Sequence, residues 1–116
     1  MEYNLEKRTR NFSKEIIRLV AKIKNTDLNR NILSQLIRSA TSVGANYHEA
    51  NAASSKNDFR NKIHICRKEI QETEYWIDLL AEACPQHESE LKHIWKESRE
   101  LILIFNKISH SASFKH

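Results

Sequence analysis

Apolar residues recur along this chain at steps of three and four, in four separate stretches. In the first, about residues 6–25, Phe12, Ile16, Leu19, Val20 and Ile23 share one helix face. Lys14, Arg18, Lys22 and Lys24 lie opposite. The second, about 28–53, carries a seam of Leu33, Leu36, Ala40, Val43, Tyr47 and Ala50. The third, about 56–83, runs Phe59, Ile63, Cys66, Ile70, Thr73, Ile77, Leu80 and on to Cys84. The fourth, about 86–109, reads Leu91, Ile94, Ser98, Leu101, Phe105 and Ile108, widened by Trp95 and Ile102. A mean step of 3.5 predicts helices packed at shallow, left-handed crossings. Asn25-Thr26-Asp27, Ser54-Ser55 and Pro85 supply the breaks, with Asp27 and Ser54 or Ser55 as helix caps. Beyond Ser109 the pattern lapses, and fraying is expected. The prediction is all-α: one domain over residues 1–116, an antiparallel up-down-up-down four-helix bundle.

Composition supports this reading by exclusion. One Gly and one Pro in 116 residues are too few for the turns of a sandwich, a barrel or a Gly-loop nucleotide fold. Gly44 stands in the middle of the second segment, where it costs a helix about 1 kcal/mol against Ala. That cost predicts a close neighbour. No apolar run is long enough to span a membrane, and no signal peptide is evident. Two cysteines are too few for a disulfide framework. A cytoplasmic protein with reduced thiols is expected.

Charge divides the chain. Residues 1–70 hold 14 Lys/Arg against 7 Asp/Glu, whereas residues 71–116 hold 5 against 8. The basic part suits a nucleic-acid backbone, with Lys7, Arg8, Arg10, Lys14, Arg18, Lys22 and Lys24 as the candidate phosphate contacts. It would equally suit the acidic part of a second copy.

Catalytic chemistry finds little footing. A di-iron bundle needs two Glu-x-x-His pairs plus two more carboxylates, and the chain offers Glu90 and His93 alone. A zinc site would have to join Cys84 and His87 with Cys66, and with His64 as an optional fourth ligand, across a gap between the cysteines unlike the tight spacing of zinc folds. The serines near Asn46 lack a base, His48 lying on another face from Ser42. No enzyme activity, metal or cofactor is expected.

Two stripes remain. Gln35, Ser39, Ser42, Asn46 and Glu49 repeat with the helix period but are small and polar, unlike an ordinary solvated face. They suggest a half-buried seam against Glu69 and Glu72 of the third segment, with Arg38 or Arg67 as counterion. Ile65, Glu69, Glu72, Trp76, Leu79 and Ala83 form the other stripe. Beside Tyr75, its Trp76 and Leu79 join Trp95 and Ile102 of the fourth segment in an apolar surface that suggests subunit contacts.

The run from Gln35 to Ala50, QLIRSATSVGANYHEA, together with Asp58–Ile63 and Lys68–Ile77, resembles the four-helix bundle proteins encoded in intervening sequences of bacterial 23S rRNA genes. The resemblance covers nearly the whole chain and is most specific in its middle. It implies an up-down bundle assembling as a homopentamer. It also implies kinship with the nucleic-acid-binding accessory protein of diversity-generating retroelements, whose partner is a reverse transcriptase. No catalytic residue is carried over. Arg38, Ser39, Ser42, Gly44, Asn46, Glu49, Glu69, Glu72 and Trp76 fall in the family's signature, with structural or assembly roles. Two functions are therefore expected: a homo-oligomer binding RNA or DNA, or an assembly scaffold that binds proteins only.

Overall fold

The computed structural model describes the backbone of residues 3–114 and the side chains of residues 3–111. Four helices follow one another: α1 (Leu5–Lys22), α2 (Arg30–Asn51), α3 (Lys56–Ala83) and α4 (Glu88–Phe114). One 3₁₀ turn, Pro85–His87, joins α3 to α4. The pairs His48–Glu6, Arg38–Glu72 and Arg99–Glu74 tie consecutive helices side by side. Arg8–Glu97 closes α1 onto α4, so the four form an antiparallel bundle measuring 47 × 22 × 20 Å.

The breaks have local causes. Thr26 and Asn29 bond reciprocally: the Thr26 N–H donates to Asn29 Oδ1 at 2.8 Å, and the Asn29 N–H to Thr26 Oγ1 at 3.2 Å. This is a capping box, displaced from the expected cap at Asp27. Asp27 instead pairs with Arg30 at 2.9 Å. Helix α1 stops at Lys22, yet Ile23 still reaches the core in an extended conformation. Ser55 caps α3 by accepting from the Asp58 N–H at 3.0 Å. Pro85 opens the 3₁₀ turn, where its missing N–H leaves no orphan. Helix α4 runs past the expected end at Ser109, on to Phe114.

The seams become the core. Phe12, Ile16, Leu36, Val43, Ile63, Ile70, Ile77, Leu80, Leu91, Leu101 and Phe105 are fully buried. Tyr47 crosses the bundle to meet the Phe105 ring edge-on, with centroids 5.9 Å apart. Cys66 and Cys84 are both buried and free. Ile102 belongs to this core, which corrects its place in the expected contact surface.

Candidate functional site

The polar stripe of α2 faces α3, as its small side chains suggested. Ser39 is fully buried, and its Oγ lies 2.9 Å from Thr73 Oγ1. The Ser42 hydroxyl donates to Glu69 Oε2 at 3.2 Å, and Asn46 Nδ2 donates back to Ser42. Arg38 supplies the cation: its guanidinium spans Glu69 and Glu72, and its Nε donates to Gln35 Oε1 at 2.9 Å. Glu72 also accepts from Trp76 Nε1 at 3.0 Å. These bonds, led by the indole N–H, hold the Glu72 carboxyl below the usual carboxylate range. Glu49 stands apart, paired with Lys62 at 2.7 Å. Arg67, the other counterion considered, is exposed and outside this set.

The network ends in an aromatic pair. Trp76 packs against the core, and the Tyr75 ring meets it edge-on at 5.0 Å. Tyr75 itself is exposed.

The seven candidate phosphate contacts do not act as one group. Arg8 makes a two-pronged bond to Glu97, at 2.7 and 3.1 Å. Lys22 pairs with Glu90 at 2.8 Å, and Arg10 lies 3.7 Å from Glu6. Lys7, Lys14, Arg18 and Lys24 pair with no carboxylate of the described residues. At 100° per residue, Lys7, Lys14 and Arg18 fall within about 40° of one another on the outward crest of α1.

Among the described residues, shallow clefts flank this helix on both sides. One, about 440 Å³, lies between α1 and α2. Ser13, Thr41, Gly44 and Ala45 line it, with Arg10 and Lys14 at the side. The other, about 360 Å³, lies between α1 and α4. At Gly44 an added Cβ would sit 3.5 Å from Thr9 Oγ1, an ordinary contact. The close neighbour expected at Gly44 is thus Thr9 of α1, whose side chain and carbonyl oxygen lie within 3.6 Å of such a Cβ, at a distance that still admits a methyl group.

The metal candidates are scattered. Glu90 is engaged by Lys22 and His87, while His93 turns to Glu15. The Cys66 thiol donates to the Val43 carbonyl, and burial pushes its pKa up to about 12. Among the described residues, no group of three His, Cys, Asp or Glu is placed to hold a metal ion. No helix among them is long and apolar enough to cross a membrane.

Comparison with known proteins decides the family. The sequence model described as 23S rRNA-intervening sequence protein matches residues 1–108. The chain belongs to the 23S rRNA-intervening sequence protein family. A crystal structure from Bacteroides thetaiotaomicron, described as a protein with unknown function from the S23 ribosomal protein family, has the same fold. It superposes with a TM-score of 0.79 at 31% identity, over 90% of this chain and 96% of that one. No curated protein matches significantly. Neither the intervening-sequence family nor this neighbour carries an enzymatic name.

The sequence pattern missed two features. His48, set aside as a catalytic base, bonds Glu6 across α1 and α2 at 3.0 Å. The α1–α2 cleft gives no periodic signal beyond the small residues Thr41, Gly44 and Ala45.

Proposed function

We propose that this protein is a non-enzymatic, self-associating bundle, a pentamer by the resemblance, that holds RNA or DNA by the phosphate backbone. The observation that carries the reading is the row Lys7, Lys14 and Arg18 on the crest of α1. Those cations lie about 10 and 6 Å apart along the axis, and no carboxylate of the described residues neutralises them. Exposed Tyr75, Trp95 and Leu103 lie on α3 and α4, not on this helix. Contact is therefore with phosphates rather than stacked bases.

Structured 23S rRNA fragments test this. Binding at low salt should weaken with a log–log slope of about −0.7 to −0.9 per contact. Lys7→Glu with Arg18→Glu should reduce the slope by about two such contacts. Absence of binding at low salt overturns the nucleic-acid reading.

A second reading is a protein-binding scaffold, such as an accessory of a reverse transcriptase, with no nucleic-acid contact of its own. The neutralisation of Arg8, Arg10 and Lys22 within the chain favours it. Tight reverse-transcriptase binding by a chain that ignores RNA would establish this second reading.

A further inference from the structure

A second cationic surface lies away from α1, along the outer groove between the first half of α3 and the second half of α4. Two anchors fix how these helices face each other. Glu74 pairs with Arg99 at 2.9 Å, and Ser109 Oγ lies 3.4 Å from His64 Nδ1. Both helices advance by the same number of residues between the anchors, so Arg67 falls opposite Asn106 and beside Lys107. On α3, Arg60, His64 and Arg67 follow the i, i+4, i+7 spacing of one face. On α4, Leu103, Lys107 and His110 repeat that spacing, one turn beyond Arg99. The two rows thus flank one groove. Arg67, Lys107 and both histidines are exposed, and Arg60 is half-buried.

The charge of this groove is uncompensated. Helix α4 carries no Asp or Glu after Glu100. The carboxylates on the same half of α3 turn the other way, toward α2. Arg38 clasps Glu69 and Glu72, and Asp58 acts on Lys62, which pairs with Glu49 of α2. Lys68 acts on Glu72 and belongs to that side as well. Glu74 closes the far end of the groove already neutralised by Arg99. Arg60, Arg67 and Lys107 pair with no carboxylate of the described residues.

Resting on the nucleic-acid reading above, we propose that this groove is a second phosphate-backbone contact, so that RNA is held on two flanks of the bundle. Arg60 and Arg67 lie about 10 Å apart along α3. Lys107 stands across a groove between helices about 8–10 Å apart. Cations spread at that spacing suit a chain of phosphates, whereas a single small anion needs donors that converge on one point. Arginine adds a fork that matches phosphate oxygens in pairs. A lipid surface would ask for a broad apolar face beside the cations. Here Leu103, 62% exposed, is the large apolar side chain on offer, since Ile65 shares the stripe of Glu69 and Glu72. Helices α1 and α3 occupy opposite corners of a bundle 22 × 20 Å across, so this contact is separate from the row on α1.

Anisotropy of a labelled 23S rRNA fragment, titrated across a salt series, tests the groove. Arg60→Gln, Arg67→Gln and Lys107→Gln together should lower the log–log salt slope by about two to three. Binding at about 0.1 M salt should weaken at least about a hundredfold. Arg67→Gln with Lys107→Gln, both at exposed positions, should lower the slope by about 1.5 and guards against misfolding at half-buried Arg60. Lys92→Gln with Lys96→Gln, on the acidic half of α4, should leave the slope unchanged. Circular dichroism and light scattering check that each variant keeps its helices and its mass. If the wild-type chain ignores RNA at low salt, the nucleic-acid reading falls and this contact with it. If it binds, and the groove variants keep its slope while Lys7→Glu with Arg18→Glu lowers it, the groove is overturned and the row on α1 stands. Unchanged RNA binding with lost sedimentation on phosphatidylserine vesicles would make the groove a lipid surface, and unchanged RNA binding with altered mass would make it a contact between copies. Either result overturns the proposal.

Discussion

At the scale of single residues, burial and bonding decide which side chains are reactive. Cys66 is fully buried, and its thiol is held protonated far above neutral pH. A thiol-reactive disulfide reagent should leave it untouched in the native protein and label it once urea unfolds the chain. Rapid native labelling at Cys66 would contradict the packing described. Gly44 carries a different expectation. Its helical position and the 3.5 Å clearance at Thr9 leave room for a methyl group. Gly44→Ala should therefore stabilise the monomer by up to about 1 kcal/mol, read as a higher urea midpoint. From sequence the same glycine looked like the mark of a tight crossing. Helix propensity shows that a glycine is costly there, but it cannot report what lies across from it.

At the scale of elements, the two long seams differ in kind. Helices α2 and α3 share buried hydroxyls at Ser39 and Thr73 and the Arg38 clasp. Glu69 is only 13% exposed in its side chain, so losing its cation leaves a poorly solvated carboxylate. Arg38→Met should cost about 1 kcal/mol of stability and shift the Trp76 fluorescence, since Glu72 would no longer be fixed. Helices α1 and α4 are closed at their margins by Arg8–Glu97, Glu15–His93 and Lys22–Glu90. Such pairs are screened by salt. Amide hydrogen exchange in α1 should therefore quicken in strong salt, or on Glu97→Gln, while α2 and α3 stay protected. Uniform exchange across all four helices would refute this difference. The sequence showed which residues could form the α2–α3 seam. It could not show that Arg38, rather than Arg67, bridges the carboxylates, because that depends on the relative rotation of two helices.

At the scale of the whole molecule, acid should undo what the carboxylates hold. Glu72 is lowered first by the Trp76 N–H and then by Arg38, and Glu6, Glu49 and Glu90 are lowered by His48, Lys62 and Lys22 respectively. A carboxylate depressed on folding contributes stability that is fully present above its unfolded value, 4.5. That contribution is lost as pH falls through the lower folded value. Urea midpoints should accordingly hold steady down to about pH 4.5 and then decline, with a shallower decline for Glu72→Gln. A midpoint that rises on acidification would contradict the pairing.

The linear order of residues determined the helices, their antiparallel packing and the core. Period and punctuation are local properties, and Phe12, Leu36, Ile70 and Leu101 had nowhere to go but inward. Tertiary structure alone decided how the charge was spent. Arg8 and Glu97 are 89 positions apart, and only the closing of α1 against α4 brings them together. The same closure leaves Lys7, Lys14 and Arg18 outside every internal pair among the described residues. Charge and periodicity are written along one dimension, whereas neutralisation depends on distances of a few ångströms in three.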